Sequence, residues 1–169
     1  MQHIFRQAGI ENIAEIKALA RRIWDEAYGE ILSKKQIDYM LQMMYSGEVI
    51  TEELLNGTVW DLIIANDIPC GYLSYVLAED NSVKLSKIYI EKDFRRTSIA
   101  ACSLSRVKHY AVRNGKDYIY LTVNKNNKQA IRAYEKNGFA ITAAVVTDIG
   151  HGFVMDDFIM KLFMKSYEK

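Results

Sequence analysis

The sequence predicts a mixed α/β domain, with a mostly antiparallel central sheet of about seven strands flanked by helices. Three observations carry that expectation. Seven short segments have the composition and spacing of strands, and four longer ones place apolar residues at helical spacing. In the second half, strand and helix segments alternate, and strand–helix–strand crossovers require at least one parallel strand pair. The chain has 169 residues, 50% hydrophobic and 25% charged, which suits one core. It contains no repeat, no low-complexity tract and no Pro/Gly linker, and Pro69 is its one proline. A single domain over residues 1–169 is expected.

The elements follow in order. Residues 2–7 form a short first strand. Asn12 opens a helix, with Glu15 placed for a capping box. Ile13, Ile16, Ala20, Ile23, Trp24 and Ala27 form its apolar stripe. Ser33 and Gln36 make a second capping box, ahead of a stripe of Ile37, Met40, Leu41 and Met44. Residues 60–65 and 70–77 are paired strands around the turn Asn66-Asp67-Ile68-Pro69. Glu79-Asp80-Asn81 turns the chain again.

Residues 82–90, SVKLSKIYI, form the most informative strand. Val83 and Leu85 are odd-numbered, whereas Ile88 and Ile90 are even, so the apolar phase slips between Leu85 and Ile88. A β-bulge near Ser86-Lys87 explains the slip. Burial of the strand on both faces explains it equally well.

A basic loop, EKDFRRTS, leads into a helix over residues 98–113, striped by Ala100, Leu104, Val107 and Ala111 and stopped by Asn114-Gly115. Residues 118–123 are a strand. Residues 127–137 are a helix ended by Gly138. Residues 139–148 and 153–163 are closing strands around a turn at 149–152.

Composition excludes several classes. The formal net charge is +1, so no bulk field draws the chain to nucleic acid or an anionic membrane. Cys70 and Cys102 lie in apolar segments without CxxC spacing and read as buried thiols. His3, His109 and His151 are scattered, so no metal site is expected. The start MQHIFRQAGIEN has no apolar signal run. No apolar stretch is long enough to span a bilayer. A cytoplasmic location is expected.

The segment Ile88–Ala101 joins a strand to a basic loop and a helix start. Free backbone N–H groups and the positive end of the helix dipole favour a phosphate there. Arg95 and Arg96 add cationic donors. On these residues alone, a solvated basic loop is the slightly better reading.

The same segment resembles the acetyl-CoA signature of the GNAT N-acetyltransferase superfamily, [QR]-x-x-G-x-[GA]. Arg95 holds the first place, Ser98 stands where the first Gly is usual, and Ala100 takes the last. Residues 124–139, NKNNKQAIRAYEKNGF, resemble the second hallmark, N-x-x-A-x-x-x-Y-x-x-x-G-F, with Asn127, Ala130, Tyr134, Gly138 and Phe139 in register. The resemblance implies a cofactor, acetyl-CoA. It implies that backbone around Ile88, Tyr89 and Ile90 meets the pantetheine arm, on a strand that splays from its neighbour. It implies that Arg95, Arg96, Thr97, Ser98, Ile99 and Ala100 hold the phosphates, that Asn127 bonds pantetheine, and that Tyr134 is catalytic, protonating the leaving thiolate. Ser98 adds a Cβ where glycine lets the pyrophosphate approach closely.

The ending GHGFVMDDFIM and the W-x-x-x-Y of Trp24 and Tyr28 resemble a bacterial branch that includes spermidine/spermine acetyltransferases. That resemblance implies a polyamine acceptor met by Trp24, Tyr28, Glu26 and Asp157, with Asp25, Glu30 and Asp156 nearby in sequence. On the residues alone, acidic helix faces and a lysine-paired Asp-Asp serve as well. An alkyl amine with a pKa of about 10.4 is neutral in only about one molecule in a thousand at pH 7, so a proton acceptor is needed. Glu26, Glu30, Asp157 and a water relay are unranked candidates. Tyr28 and Tyr75 either line the acceptor pocket or pack in the core. The expected partner is a small-molecule amine, without nucleic acid or membrane, and a homodimer is consistent with the superfamily. An acyl-CoA-binding module without catalysis, and acetylation of an amino acid or protein amine, are alternatives.

Overall fold

The computed structural model describes residues 3–95 and 97–164. Arg96 lies outside the described residues. The elements are β1 (His3–Gln7), α1 (Ile13–Tyr28), α2 (Lys34–Tyr45), α3 (Gly47–Leu55), β2 (Val59–Ala65), β3 (Ile68–Leu77), β4 (Ser82–Ile90), α4 (Ile99–Arg113), β5 (Tyr118–Asn124), α5 (Lys128–Lys136), β6 (Ala140–Gly150) and β7 (Phe153–Phe163). They fall into two compact units, Met1–Val76 with Lys87–Ser103, and Leu77–Ser86 with Leu104–Lys169. The chain passes between units at the end of β3, inside β4 and inside α4, and never at a linker.

In the first unit, local chemistry sets most of the boundaries. Ser33 is extended and its Oγ accepts from Gln36 N at 3.2 Å, which starts α2. Tyr45 takes the buried seat at the end of that stripe, and Met44 is half-buried. Asn12 departs from the expected capping box. Its Oδ1 accepts from Gly9 N at 3.1 Å, closing a 3-10 turn over Ile10–Asn12. With φ −94° and ψ 0° it lacks the extended backbone that aims a capping side chain into the helix.

The sequence reading missed α3. Ser46 caps it, with Oγ accepting from Val49 N at 3.3 Å, but nine residues hold too few turns for a clear periodicity. Strands β2 and β3 are joined through Asn66 and Asp67, both at positive φ. That two-residue turn is tighter than the four-residue turn expected. Strand β1 pairs antiparallel with β2, and β2 with β3. Gly71 of β3 meets β4 at the closest range. A Cβ there would lie 2.4 Å from Tyr89 O and 3.2 Å from Ile90 Cα, so only glycine fits that approach.

The core of this unit holds Ile16, Leu19, Ile23, Trp24, Tyr45, Trp60, Leu62 and Tyr72, all almost fully buried. Each such side chain contributes roughly 1.5–3 kcal/mol by leaving water.

In the second unit, β4 pairs parallel with β5 over Ser82↔Tyr118, Val83↔Ile119 and Lys84↔Tyr120. This is the parallel pair that the crossover required. Strand β5 pairs antiparallel with β7 from Tyr118↔Phe163 to Asn124↔Asp157, and β7 with β6. The full strand order is β1-β2-β3-β4-β5-β7-β6, a seven-stranded, mostly antiparallel sheet. Gly115 (φ 63°) and Gly138 (φ 92°) end α4 and α5 as expected.

The phase slip in β4 falls later than the sequence suggested. Val83, Leu85 and Lys87 are all buried, and after Ser82 at the strand start the next buried even position is Ile90. Lys87 breaks the apolar pattern but keeps the burial pattern, because Glu53 of α3 pairs with it at 2.9 Å. Among the described residues, no helix is long and apolar enough to cross a membrane.

Candidate active site

The first unit carries the strand-to-helix junction. After Ile90, Glu91 N donates to Cys70 O at 2.8 Å, which holds the end of β4 against β3. A 3-10 turn over Lys92–Phe94 reverses the chain. Thr97 Oγ1 then donates to Phe94 O at 2.8 Å and accepts from Ile99 N at 3.3 Å. The hydroxyl at the start of α4 is therefore that of Thr97. Ser98 is exposed, Ala100 is half-buried and Ile99 is fully buried.

Arg95 and Glu26, expected to meet different substrates, meet each other. Arg95 Nε donates to Ile90 O at 2.8 Å, and the guanidinium bridges Glu26 of α1. Glu91 is likewise held by Arg22 at 2.8 Å. Asp25 pairs with Arg21 at 3.5 Å, and Glu30 is exposed.

Behind the end of β4 lies an aromatic cluster. Tyr89 packs on Tyr72 at 5.5 Å and on Trp24 at 5.7 Å between ring centroids. The hydroxyls of Tyr28 and Tyr89 lie 3.1 Å apart. Trp24 was expected at the acceptor, but it is 1% exposed and its indole N–H donates to Tyr45 Oη at 3.2 Å. Its role is to hold Tyr28, 4.8 Å away, from within the core. Tyr75 is also core, its hydroxyl donating to the buried Asp61 at 2.9 Å. Burial holds the Tyr45 and Tyr72 hydroxyls well above the usual phenol range, so both stay protonated donors. Ile88 and Tyr89 are half-buried and Ile90 is buried.

Sequence reasoning missed Tyr45, Tyr72, Glu53 and Lys87 in this cluster. Lys87 Nζ sits 4.8 Å from the Trp60 ring centroid and 5.5 Å from that of Tyr45. A lysine inside an otherwise apolar strand was the available signal.

The second unit carries the other motif. Asn127 caps α5, its Oδ1 accepting from Ala130 N at 3.1 Å. Tyr134 is half-buried, its ring centroid 5.8 Å from that of Phe139. Asp157 is buried on β7, directly opposite Asn124 at the end of β5. Burial, then repulsion from Asp156, raises its carboxyl above the usual carboxylate range, and Lys125 partly offsets this. Asp156 itself is paired with Lys125.

This fold and these junctions define a class of mixed α/β protein with a strand–turn–helix junction in one unit and an Asn-capped helix bearing a tyrosine in the other. Residues 14–139 match the model of the acetyltransferase (GNAT) family. The chain belongs to that family. The uncharacterised N-acetyltransferase Rv2669 of Mycobacterium tuberculosis is 32% identical over 80 residues, 47% of this chain. The match spans about half of that relative's length, 51%. The structure of PaiA N-acetyltransferase from Thermoplasma acidophilum in complex with coenzyme A superposes with a TM-score of 0.84 at 22% identity, over 97% of this chain and 100% of that one. YncA from Salmonella typhimurium, with its cofactor acetyl-CoA, gives a TM-score of 0.68 at 19% identity, over 99% of this chain and 96% of that one. At these identities the likeness is one of fold.

Proposed function

We propose that this chain is a single-domain, cytoplasmic enzyme that moves the acetyl group of acetyl-CoA directly to a primary amine, with a polyamine as the favoured acceptor. The observation that carries the reading is the start of α5. Asn127 caps this helix, and Tyr134 stands half-buried nearly two turns along it. PaiA and YncA, bound to coenzyme A and acetyl-CoA, support the same cofactor here.

The donor set suits that cofactor. Helix α4 has 15 residues, and its first-turn amides lack partners within the helix. Thr97, Ser98 and Ala100 would present amides to the phosphates, joined by Ile99 once its N–H turns from Thr97 Oγ1, with Arg95 and Arg96 adding cationic donors. Exposure of Ser98 keeps its extra Cβ out of the packed core. Strand β4 registers with β5 over only three residue pairs. The backbone of Ile88, Tyr89 and Ile90 lies beyond that ladder and would serve the pantetheine arm as an added strand would. Asn127 would bond the same arm.

Acetyl-CoA supplies the acetyl group as an activated thioester. A backbone N–H near Ile88–Ile90 would polarise its carbonyl oxygen. Tyr134 would hold a proton for the departing sulfur, since a phenol with a pKa of about 10 is protonated at neutral pH. Tyr28 would orient the amine, with its hydroxyl beside that of Tyr89. Glu26 and Asp157 would attract a cationic acceptor, Glu26 once Arg95 turns to phosphate.

The test is acetyl-CoA turnover, followed as free thiol, with spermidine, spermine, amino acids, a lysine peptide and an aryl amine. Spermidine or spermine is expected to turn over fastest. Inert polyamines beside an acetylated peptide would overturn the acceptor. No thiol release with any amine, together with no thermal shift on adding acetyl-CoA or CoA, would overturn the enzyme.

A further inference from the structure

We propose that Asp157 is the base that takes the proton from the acceptor ammonium. The assignment rests on the acetyl-transfer reading above. It distinguishes between carboxylates that the sequence left unranked.

Three observations of the second unit carry it. Asp157 is only 5% exposed, and among the described residues no hydrogen-bond donor meets its carboxylate. The oxygens of Asp157 are not among the fully buried unpaired atoms, so its carboxylate keeps an opening through which a partner can arrive, and a carboxylate so poorly solvated favours one. A substrate ammonium is such a partner. Next, the burial is particular to this position. Directly opposed residues share a sheet face, so Asp157 lies on the face of Thr122 and Phe163, which are both exposed. Finally, Asp157 stands opposite Asn124, the last residue of β5. Asn124 O accepts from Asn127 N at 2.9 Å, and Asn124 Oδ1 accepts from Asn126 N at 2.9 Å. The carboxylate is thus one strand from the turn that caps the Tyr134 helix.

The rival carboxylates are less suited. Glu26 is held by Arg95 while no phosphate is bound, and it is exposed to water once released. Glu30 is exposed to solvent. Asp156 is held by Lys125. The charged groups acting on Asp157 are Asp156, which raises its proton affinity, and Lys125, which lowers it. Asn124 and Val145, its opposed residues on β5 and β7's other neighbour β6, are uncharged.

The step balances. The acceptor enters as R–NH3+, and one N–H proton passes to the Asp157 carboxylate. The freed lone pair forms the N–C bond to the acetyl carbon as the C–S bond breaks. Tyr134 gives its hydroxyl proton to the departing sulfur and is reprotonated by the second proton leaving nitrogen. Asp157 returns its proton to solvent. The products are the N-acetylamine, free thiol and one released proton.

The experiment measures kcat, the acceptor kcat/KM across pH and the acetyl-CoA Kd for wild type, Asp157→Asn and Asp157→Glu. In Asp157→Asn, kcat is expected to fall about a hundredfold to ten-thousandfold, and the acidic limb of the profile is expected to disappear. The acetyl-CoA Kd stays near wild type, which also reports an intact fold. Asp157→Glu restores part of the rate and the limb. A wild-type kcat and acidic limb in Asp157→Asn would overturn the assignment, and so would a loss confined to the acceptor KM, which marks a binding role only. If wild type neither binds acetyl-CoA nor releases thiol, the transfer reading falls and this role falls with it.

Discussion

Arg95 grips Glu26 with two prongs, Nη2 to Oε2 at 2.5 Å and Nη1 to Oε1 at 3.2 Å, while its Nε holds Ile90 O at 2.8 Å. The pair ties the loop after β4 to α1. The guanidinium is therefore aimed before any phosphate arrives, and a phosphate must displace a carboxylate to use it.

That competition is measurable. A partly exposed ion pair is worth about 0.2–1 kcal/mol, so Glu26→Gln should lower the acetyl-CoA Kd by up to about fivefold. Arg95→Ala should raise it. Calorimetric titration of both variants checks the signs. A weaker Kd in Glu26→Gln would mean that Glu26 positions the arginine rather than competing for it.

Tyr134→Phe removes one hydroxyl and keeps the ring against Phe139. A thiolate with a pKa of about 8.5 is already a fair leaving group. The loss in kcat should then lie near the low end for general acid catalysis, about tenfold to a hundredfold, with the acetyl-CoA Kd nearly unchanged. An unaltered kcat, measured on the same folded preparation, would leave the residue a packing role.

Lys87 is 7% exposed, with Nζ at 2.9 and 3.3 Å from the two Glu53 oxygens. Glu53 is 28% exposed and also accepts from Trp60 Nε1 at 2.9 Å. Removing one partner of a buried pair costs about 3–5 kcal/mol. Glu53→Gln should fall near the lower end, because water reaches the site. Lys87→Met should cost less, because Glu53 keeps the indole N–H and water. Urea unfolding of both variants tests the order, and the reverse order would show that Lys87 matters mainly through its packing.

Asp157 links stability to pH. Its folded carboxyl binds a proton more readily than the unfolded one, mainly because it is buried. The folded state therefore holds more protons over the window that opens near the ordinary aspartate value of 3.8 and closes above the raised one. Stability from this group is fully present below that window and is lost as pH rises through it. At neutral pH the charged carboxylate is a burden, so Asp157→Asn should raise the thermal midpoint. The gain should shrink as pH falls toward 4, the ordinary carboxylate range. Midpoints of the two proteins across acidic and neutral buffers decide it, and a constant difference would refute the linkage.

Much of the fold was legible because its signals are local. Asn66-Asp67 reads as a turn and adopts positive φ at both residues. Ser33 reads as a cap and accepts from Gln36 N. Asn127 and Gly138 bracket α5 as their types require. The misses have physical causes. Helix α3 is too short for periodicity to outweigh background. Asn12 had two donors to choose from, and its backbone angles sent the side chain to Gly9. Trp24 reads both as part of the α1 stripe and as an acceptor contact, and its burial places it with the stripe.

The sequence by itself determined the order of the strands along the chain, four of the five described helices, several turns and caps such as Ser33 and Asn127, and the family, because each depends on backbone preferences and side chains within a turn or two. The tertiary structure alone decided what the charged residues do. Arg95 meets a carboxylate 69 residues away and Lys87 one 34 residues away. Asp157 is buried by strands whose approach no local pattern encodes. Local propensity is additive along the chain, whereas the energy of a charge depends on its solvation and on partners brought close by folding.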